Sequence, residues 1–124
     1  MLDHISIGVG NVPASRRFYD AVFAPLGYKA LYEGEGYAGY GAGAPEFWLN
    51  TAERPVAADM ANGLHISFVA ANRAAVDAFY AAGLAAGAKD NGKPGPRSDY
   101  GPNYYAAFLI DPDGYRIEAH TETA

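Results

Sequence analysis

Apolar and polar residues alternate over residues 2–9, Leu-Asp-His-Ile-Ser-Ile-Gly-Val, and again over residues 64–69, Leu-His-Ile-Ser-Phe-Val. A period of two with β-branched and aromatic residues predicts a strand in each place. Side chains on a strand point alternately to its two faces, so His4, Ser6 and Gly8 share one face and Ile5, Ile7 and Val9 the other. His65 and Ser67 oppose Ile66 and Phe68 in the same way. The period then changes. Phe18, Tyr19, Val22, Phe23 and Leu26 fall at helical spacing, as do Val76, Phe79, Tyr80 and Leu84. Asn11 and Asn72 are placed to cap these helices, Pro13 is tolerated in a first turn, and Gly27 and Gly87 end them.

Short extended segments separated by glycine follow each helix: residues 29–33, 37–41 and 46–50 in the first half, a weak strand near Ala88 and then 104–110 and 115–121 in the second. Asp111-Pro112-Asp113-Gly114 between the last two predicts a hairpin. With a four-residue turn there, Ala107 faces Glu118 and Tyr105 faces His120. Residues 91–103, with Pro94, Pro96 and Pro102, are expected to form a long loop suited to covering a site.

The two halves match each other at a shift of 61 residues without a gap. His4, Ile5 and Ser6 recur as His65, Ile66 and Ser67; Asn11, Ala14, Phe18, Tyr19, Ala21 and Ala24 recur as Asn72, Ala75, Phe79, Tyr80, Ala82 and Ala85. The predicted fold is therefore α+β, two tandem βαβββ modules in one domain: module 1 at residues 1–50, a linker at 51–62 carrying Pro55, and module 2 at 63–124.

Composition narrows the picture. A chain of 124 residues, half of them apolar and 14% aromatic, fits one packed domain and not two. Its 15 glycines and 8 prolines agree with frequent turns between strands. Charged or turn-forming residues interrupt every apolar segment short of a membrane span, and Met1-Leu2-Asp3-His4 does not begin a secretion signal, so a cytoplasmic protein is expected. The net charge of −5, with basic residues scattered, argues against nucleic acid as partner. With no cysteine, any metal must be held by nitrogen and oxygen.

Two of the three histidines, His4 and His65, occupy the same position of the repeated unit, on the face opposite the apolar row. A metal held by neutral imidazoles calls for an anionic third ligand, and Glu118 stands between Ile117 and Ala119, facing away from the helices. Trp48 and Tyr105 are the preferred walls of the site, with Tyr40, Arg97 and His120 as further candidates for binding substrate. Tyr37, Tyr100 and Tyr104 add to the aromatic density. The plain alternative is structural: hydrogen-bonded histidines, Glu118 neutral or paired with Arg116 or another base, and tyrosines that serve a core or an interface. Gly8-Val9-Gly10 opens a nucleotide-like pattern, but Pro13 replaces its third glycine.

Leu2-Asp3-His4-Ile5-Ser6-Ile7-Gly8-Val9, Arg17-Phe18-Tyr19-Asp20, Gly63-Leu64-His65-Ile66-Ser67-Phe68 and Asp111-Pro112-Asp113-Gly114-Tyr115-Arg116-Ile117-Glu118, together with the duplication, resemble the vicinal oxygen chelate superfamily of glyoxalases, bleomycin-resistance proteins, fosfomycin-resistance transferases and extradiol dioxygenases. The resemblance implies paired modules whose sheets form an open cup around a divalent ion, with His4, His65 and Glu118 as ligands and Glu118 as the catalytic residue. It also implies a homodimer. Trp48 stands where glyoxalase I has a fourth ligand; Glu46, two residues earlier on the same face, is a weak substitute. Imidazole and carboxylate ligation suits Fe, Mn, Zn, Ni or Co. The function expected is a metal-dependent lyase or isomerase acting on a small substrate with vicinal oxygens. The alternatives are an extradiol-type dioxygenase and a metal-free, ligand-sequestering protein of the bleomycin-resistance type.

Overall fold

The computed structural model describes residues 1–56 and 60–124; part of the expected linker, residues 57–59, lies outside the described residues. The chain runs β1 (Ile5–Val9), α1 (Val12–Phe23), a 3-10 turn (Ala24–Leu26), β2 (Lys29–Gly34), β3 (Tyr37–Gly41) and β4 (Phe47–Thr51). After a 3-10 turn at Met60–Asn62 come β5 (His65–Val69), α2 (Arg73–Ala85), β6 (Lys89–Pro96), β7 (Tyr105–Ile110) and β8 (Arg116–Thr121). The strands form two four-stranded sheets of matching topology, β1-β4-β3-β2 and β5-β8-β7-β6. In each, the opening strand pairs in parallel with the last strand of its own half. The fold is α+β, two βαβββ modules with two open four-stranded sheets.

Local chemistry sets these elements. Asn11 and Asn72 each accept a hydrogen bond from the backbone N–H three residues on, at 2.9 Å, and so cap α1 and α2. Gly27 and Gly87 supply the left-handed conformations at the helix ends, with φ of 82° and 105°. The helical stripe of α1 is buried at Phe18, Tyr19, Val22 and Phe23. On α2 Val76 and Phe79 are buried, while Leu84 is exposed and Gly83 takes the inner position. A Cβ at Gly83 would stand 2.3 Å from Leu109 Cδ1 and 3.4 Å from Val22 Cγ1. Bare backbone at that point lets α2 press against β7 and α1 together.

The two halves share one core. Phe23 and Phe47 of the first half meet the edge of Phe68 of the second, with ring centroids 4.9 and 5.2 Å apart. Burying each ring is worth about 1.5–3 kcal/mol. Hydrogen bonds join the halves as well: Tyr19 and Ser15 on α1 donate to Asp111 and Asp113, and the Tyr115 hydroxyl donates to the Gly8 carbonyl at 2.6 Å. Asp111 also accepts from the backbone of Asp113 and Tyr115. Burial, acting first and most strongly, raises the Asp111 carboxyl to about 6 against these hydrogen bonds. Both helices thus lie on the shared inner side, and the opposite face of each sheet is left uncovered by the chain's own helices.

Two expectations change. Residues 91–103 do not form one long loop, because β6 extends to Pro96 and pairs with β7 through two register shifts. As the edge strand of its sheet β6 pairs on one side only, so Pro94 and Pro96 cost no central ladder bond. The β7–β8 hairpin is also displaced by one residue: Tyr115 belongs to the turn, whose ends are closed by the Asp111 N–H on the Tyr115 carbonyl at 2.8 Å. Phe108, not Ala107, faces Glu118, and Ala106, not Tyr105, faces His120. A slip of one residue turns a strand's side chains to the other face. Tyr105 therefore reaches the helix side, where its hydroxyl donates to Asp77 at 2.7 Å and Arg73 lies over its ring.

Candidate functional site

On the outer face of the second sheet, β5 contributes His65 and Ser67, β8 contributes Glu118 and His120, and β7 contributes Phe108. The parallel register sets Ser67 beside Glu118, with Ile66 and Ile117 directed to the core. His65 Nε2 lies 2.8 Å from Glu118 Oε1. The carboxylate side chain is 3% exposed and the imidazole 40%, so an acid lies beneath an accessible ring.

Around this pair the face is ordered. The Tyr104 hydroxyl donates to Glu118 Oε2 at 2.6 Å. Burial, then the bond to the Glu118 carboxylate, pushes that phenol well above its ordinary pKa and keeps it a donor. The Tyr104 ring is stacked on His120 at 4.6 Å and 7°, and His120 Nδ1 is 3.2 Å from Ser67 Oγ. Phe108 lies 5.9 Å from the His65 ring, and the Arg97 guanidinium lies over the Phe108 ring at 5.3 Å. Arg97 donates to the carbonyls of Lys93, Gly95 and Pro96, which fastens the bulged end of β6.

The first sheet repeats the register with different chemistry. Ser6 pairs with Trp48 as Ser67 pairs with Glu118. Trp48 lies across Gly39, where a Cβ would stand 2.7 Å from the indole, and is stacked with Tyr32 at 6.0 Å and flanked by Tyr37 at 6.4 Å. Tyr32 and Tyr37 are exposed. Tyr40 belongs to the other face: it is 1% exposed, packs on Phe23 and Tyr19, and donates to Asp20 at 2.7 Å. An odd–even step along β3 places it in the core, so it is no wall of the outer face.

The structure therefore sets His65 on Glu118, with His120 on the same face against Tyr104 and Ser67 and Arg97 over Phe108. His4 does not join them. It is exposed, with Nδ1 2.7 Å from Asp3 Oδ1, and it lines a cavity of ≈ 220 Å³ between the halves together with Glu46, Tyr40, Phe47, Phe68 and Ser67. Among the described residues no group of three or more His, Cys, Asp or Glu side chains that could hold a metal ion forms within the chain. Sequence reasoning counted Tyr104 only among the nearby aromatic residues and did not select Ser67 or Phe108. The signal for two of them was the hairpin length: a five-residue turn ending at Tyr115 puts Tyr104 and Phe108 on the face of Glu118.

Comparison with known proteins decides the family. The model of the Glyoxalase/Bleomycin resistance protein/Dioxygenase superfamily matches residues 1–119. The chain belongs to this superfamily. Among solved structures, a glyoxalase/bleomycin resistance protein from Albidiferax ferrireducens is 31% identical, with 97% of each chain covered and a TM-score of 0.83. A putative glyoxalase from Bacillus halodurans is 26% identical, covering 97% of this chain and 94% of its own, with a TM-score of 0.74. The fosfomycin resistance protein FosX from Mesorhizobium loti shares the fold at 20% identity, with 99% and 92% covered and a TM-score of 0.71. Comparison with curated proteins finds no match. Like other folds, the superfamily's scaffold hosts different chemistries, so the reaction has to be argued from the site. Among the described residues no helix is long and apolar enough to cross a membrane.

Proposed function

We propose that this superfamily member is a cytoplasmic, divalent-metal-dependent lyase or isomerase for a small substrate with vicinal oxygens, working as a homodimer. The observation that carries the reading is the close approach of His65 Nε2 and Glu118 Oε1 on an open face. With metal–ligand bonds of about 2.1 Å, ligands on adjacent corners of an octahedral shell stand about 3.0 Å apart. The observed 2.8 Å fits two ligands of one ion. His65 and Glu118 would hold the ion from one chain, and His4 of a second copy would complete the set. His4 is suited to this, since Asp3 engages Nδ1 and leaves Nε2 for a ligand bond. The uncovered outer faces of both sheets are where a second copy would close the cup.

A bound Fe, Mn, Zn, Ni or Co ion would polarise paired substrate oxygens and stabilise negative charge that develops on them. Glu118 supplies the anionic ligand, and His120 and Arg97 stand on the same face to meet the substrate's polar groups. Trp48 would form the opposite wall. The test is metal content after purification without chelator. Stoichiometric metal in the unaltered protein, lost in His65→Ala and in Glu118→Gln, supports the reading; metal-free protein that takes up none of the five ions overturns it. Choosing among lyase, isomerase and extradiol-type dioxygenase chemistry then requires screening of candidate substrates with each ion.

A second reading rests on the first sheet. Trp48, Tyr32 and Tyr37 present a broad aromatic surface laid over glycine, which suits the sequestering of a planar ligand without any metal. Ligand binding that is unchanged by His65→Ala and reduced by Trp48→Ala would favour it.

A further inference from the structure

Glu118 has two carboxylate oxygens, and the structure divides them. Oε1 is 2.8 Å from His65 Nε2, whereas Oε2 accepts from Tyr104. Directly across β7, Glu118 meets Phe108, which has no polar side-chain atom. On the β5 side Ser67 stands beside Glu118 with its hydroxyl on His120 Nδ1 at 3.2 Å, so the donor on Oε2 is Tyr104, and it sets which oxygen faces the histidine. It reaches Glu118 from just before β7, and its ring is held on two sides, by the parallel face of His120 and by the edge contact with Tyr100 at 5.3 Å. A ring with so little freedom delivers its hydroxyl to one place. A carboxylate oxygen that accepts a hydrogen bond from a fixed donor is the weaker of the two toward an ion, so Glu118 offers Oε1 first.

We infer that Tyr104 is the positioning residue of the site: it holds Oε2 of Glu118 and thereby presents Oε1 alone beside His65, making Glu118 a one-oxygen ligand. The inference rests on the metal-site reading above. Partners of this kind, which bond to a ligand rather than to the ion, change metal affinity by about 10–100-fold when removed. The stacking on His120 and the contact with Tyr100 do not need the hydroxyl, so Tyr104→Phe keeps the ring's supports and removes the hydroxyl's bonds to Glu118 and Ser67.

The experiment is titration of the full chain with Co(II), followed by visible absorption, for the unaltered protein, Tyr104→Phe and Tyr100→Ala. Tyr104→Phe is expected to raise the Co(II) Kd about 10–100-fold and to alter the ligand-field bands, because a released carboxylate can rotate and bind through both oxygens. Tyr100→Ala, which keeps the hydroxyl and the His120 stack but loosens the ring, is expected to keep the bands and to weaken Co(II) binding by less than Tyr104→Phe. Unchanged affinity and bands in Tyr104→Phe overturn the inference while the metal site stands. Equal weakening in both variants with unchanged bands also overturns it, since packing alone then accounts for the effect. Failure of the unaltered protein to bind Co(II) removes the metal site and this inference with it.

Discussion

The outer faces of the two sheets are built from one repeated unit and do opposite things. In the first, Ser6 is beside Trp48; in the second, Ser67 is beside Glu118. One position of one register thus carries an indole laid over Gly39 in the first half and a nearly buried acid with two partners in the second. Duplication fixed the backbone and the direction of each side chain. The chemistry then diverged at single positions, leaving one polar face and one aromatic face that a closed cup would set against each other.

The largest effect expected from this comparison is on metal. Glu118→Gln should abolish stoichiometric binding, while Trp48→Ala, at the equivalent position, should leave the metal content unchanged; elemental analysis of both checks it. Loss of metal in both variants would break the comparison. The buried aromatic positions should behave alike, because Phe18 and Phe79 are both enclosed: each change to alanine should cost about 3–5 kcal/mol in denaturant unfolding. Tyr19 and Tyr80 should not. Tyr19 is fully buried on Asp111, and Tyr80 is only partly buried. Tyr19→Phe should destabilise by about 1–3 kcal/mol, and Tyr80→Phe by much less.

A pH series sharpens the contrast between the halves at their junction. Burial raises the Asp111 carboxyl to about 6, from an ordinary value of 3.8. The folded state thus prefers the protonated acid, and this contribution to stability is fully present below about pH 4. It is lost as the pH rises through about 6, because the unfolded chain then holds fewer protons than the folded one. Between those limits unaltered protein should lose up to about 3 kcal/mol relative to Asp111→Asn, which has no carboxyl to titrate there. The smallest effect is at the caps. Asn11→Ala and Asn72→Ala make equivalent bonds unavailable and should each cost about 1 kcal/mol.

The fold was legible because its determinants are local and occur twice. Asn11 and Asn72 cap, Gly27 and Gly87 terminate, and the alternation around His4 and His65 assigns their faces; each signal is read within a few residues. The duplication then confirms one half by the other. Register in the last hairpin was not legible, because it turns on whether Tyr115 belongs to the turn or to the strand. Its buried ring and its hydroxyl on the Gly8 carbonyl, a contact across the whole molecule, settle that. Tyr105 and Tyr104 changed places for this reason. The inward turn of Tyr40 was hidden in the same way: its hydroxyl donates to Asp20, a partner from α1 that no pattern within β3 reveals. The long loop expected at 91–103 gave way to β6 because prolines exclude a central strand and not an edge one.

The central claim is that one ion is held by His65 and Glu118 of one chain and by His4 of another. Mixing chains that each lack one ligand tests it. His4→Ala and Glu118→Gln proteins should each purify without stoichiometric metal. After dissociation, equal mixing and reassociation, half of the dimers should be mixed and each should contain one intact set of ligands, restoring about a quarter of the metal bound by unaltered protein. No recovery on mixing, or full metal retained by His4→Ala alone, would contradict the account.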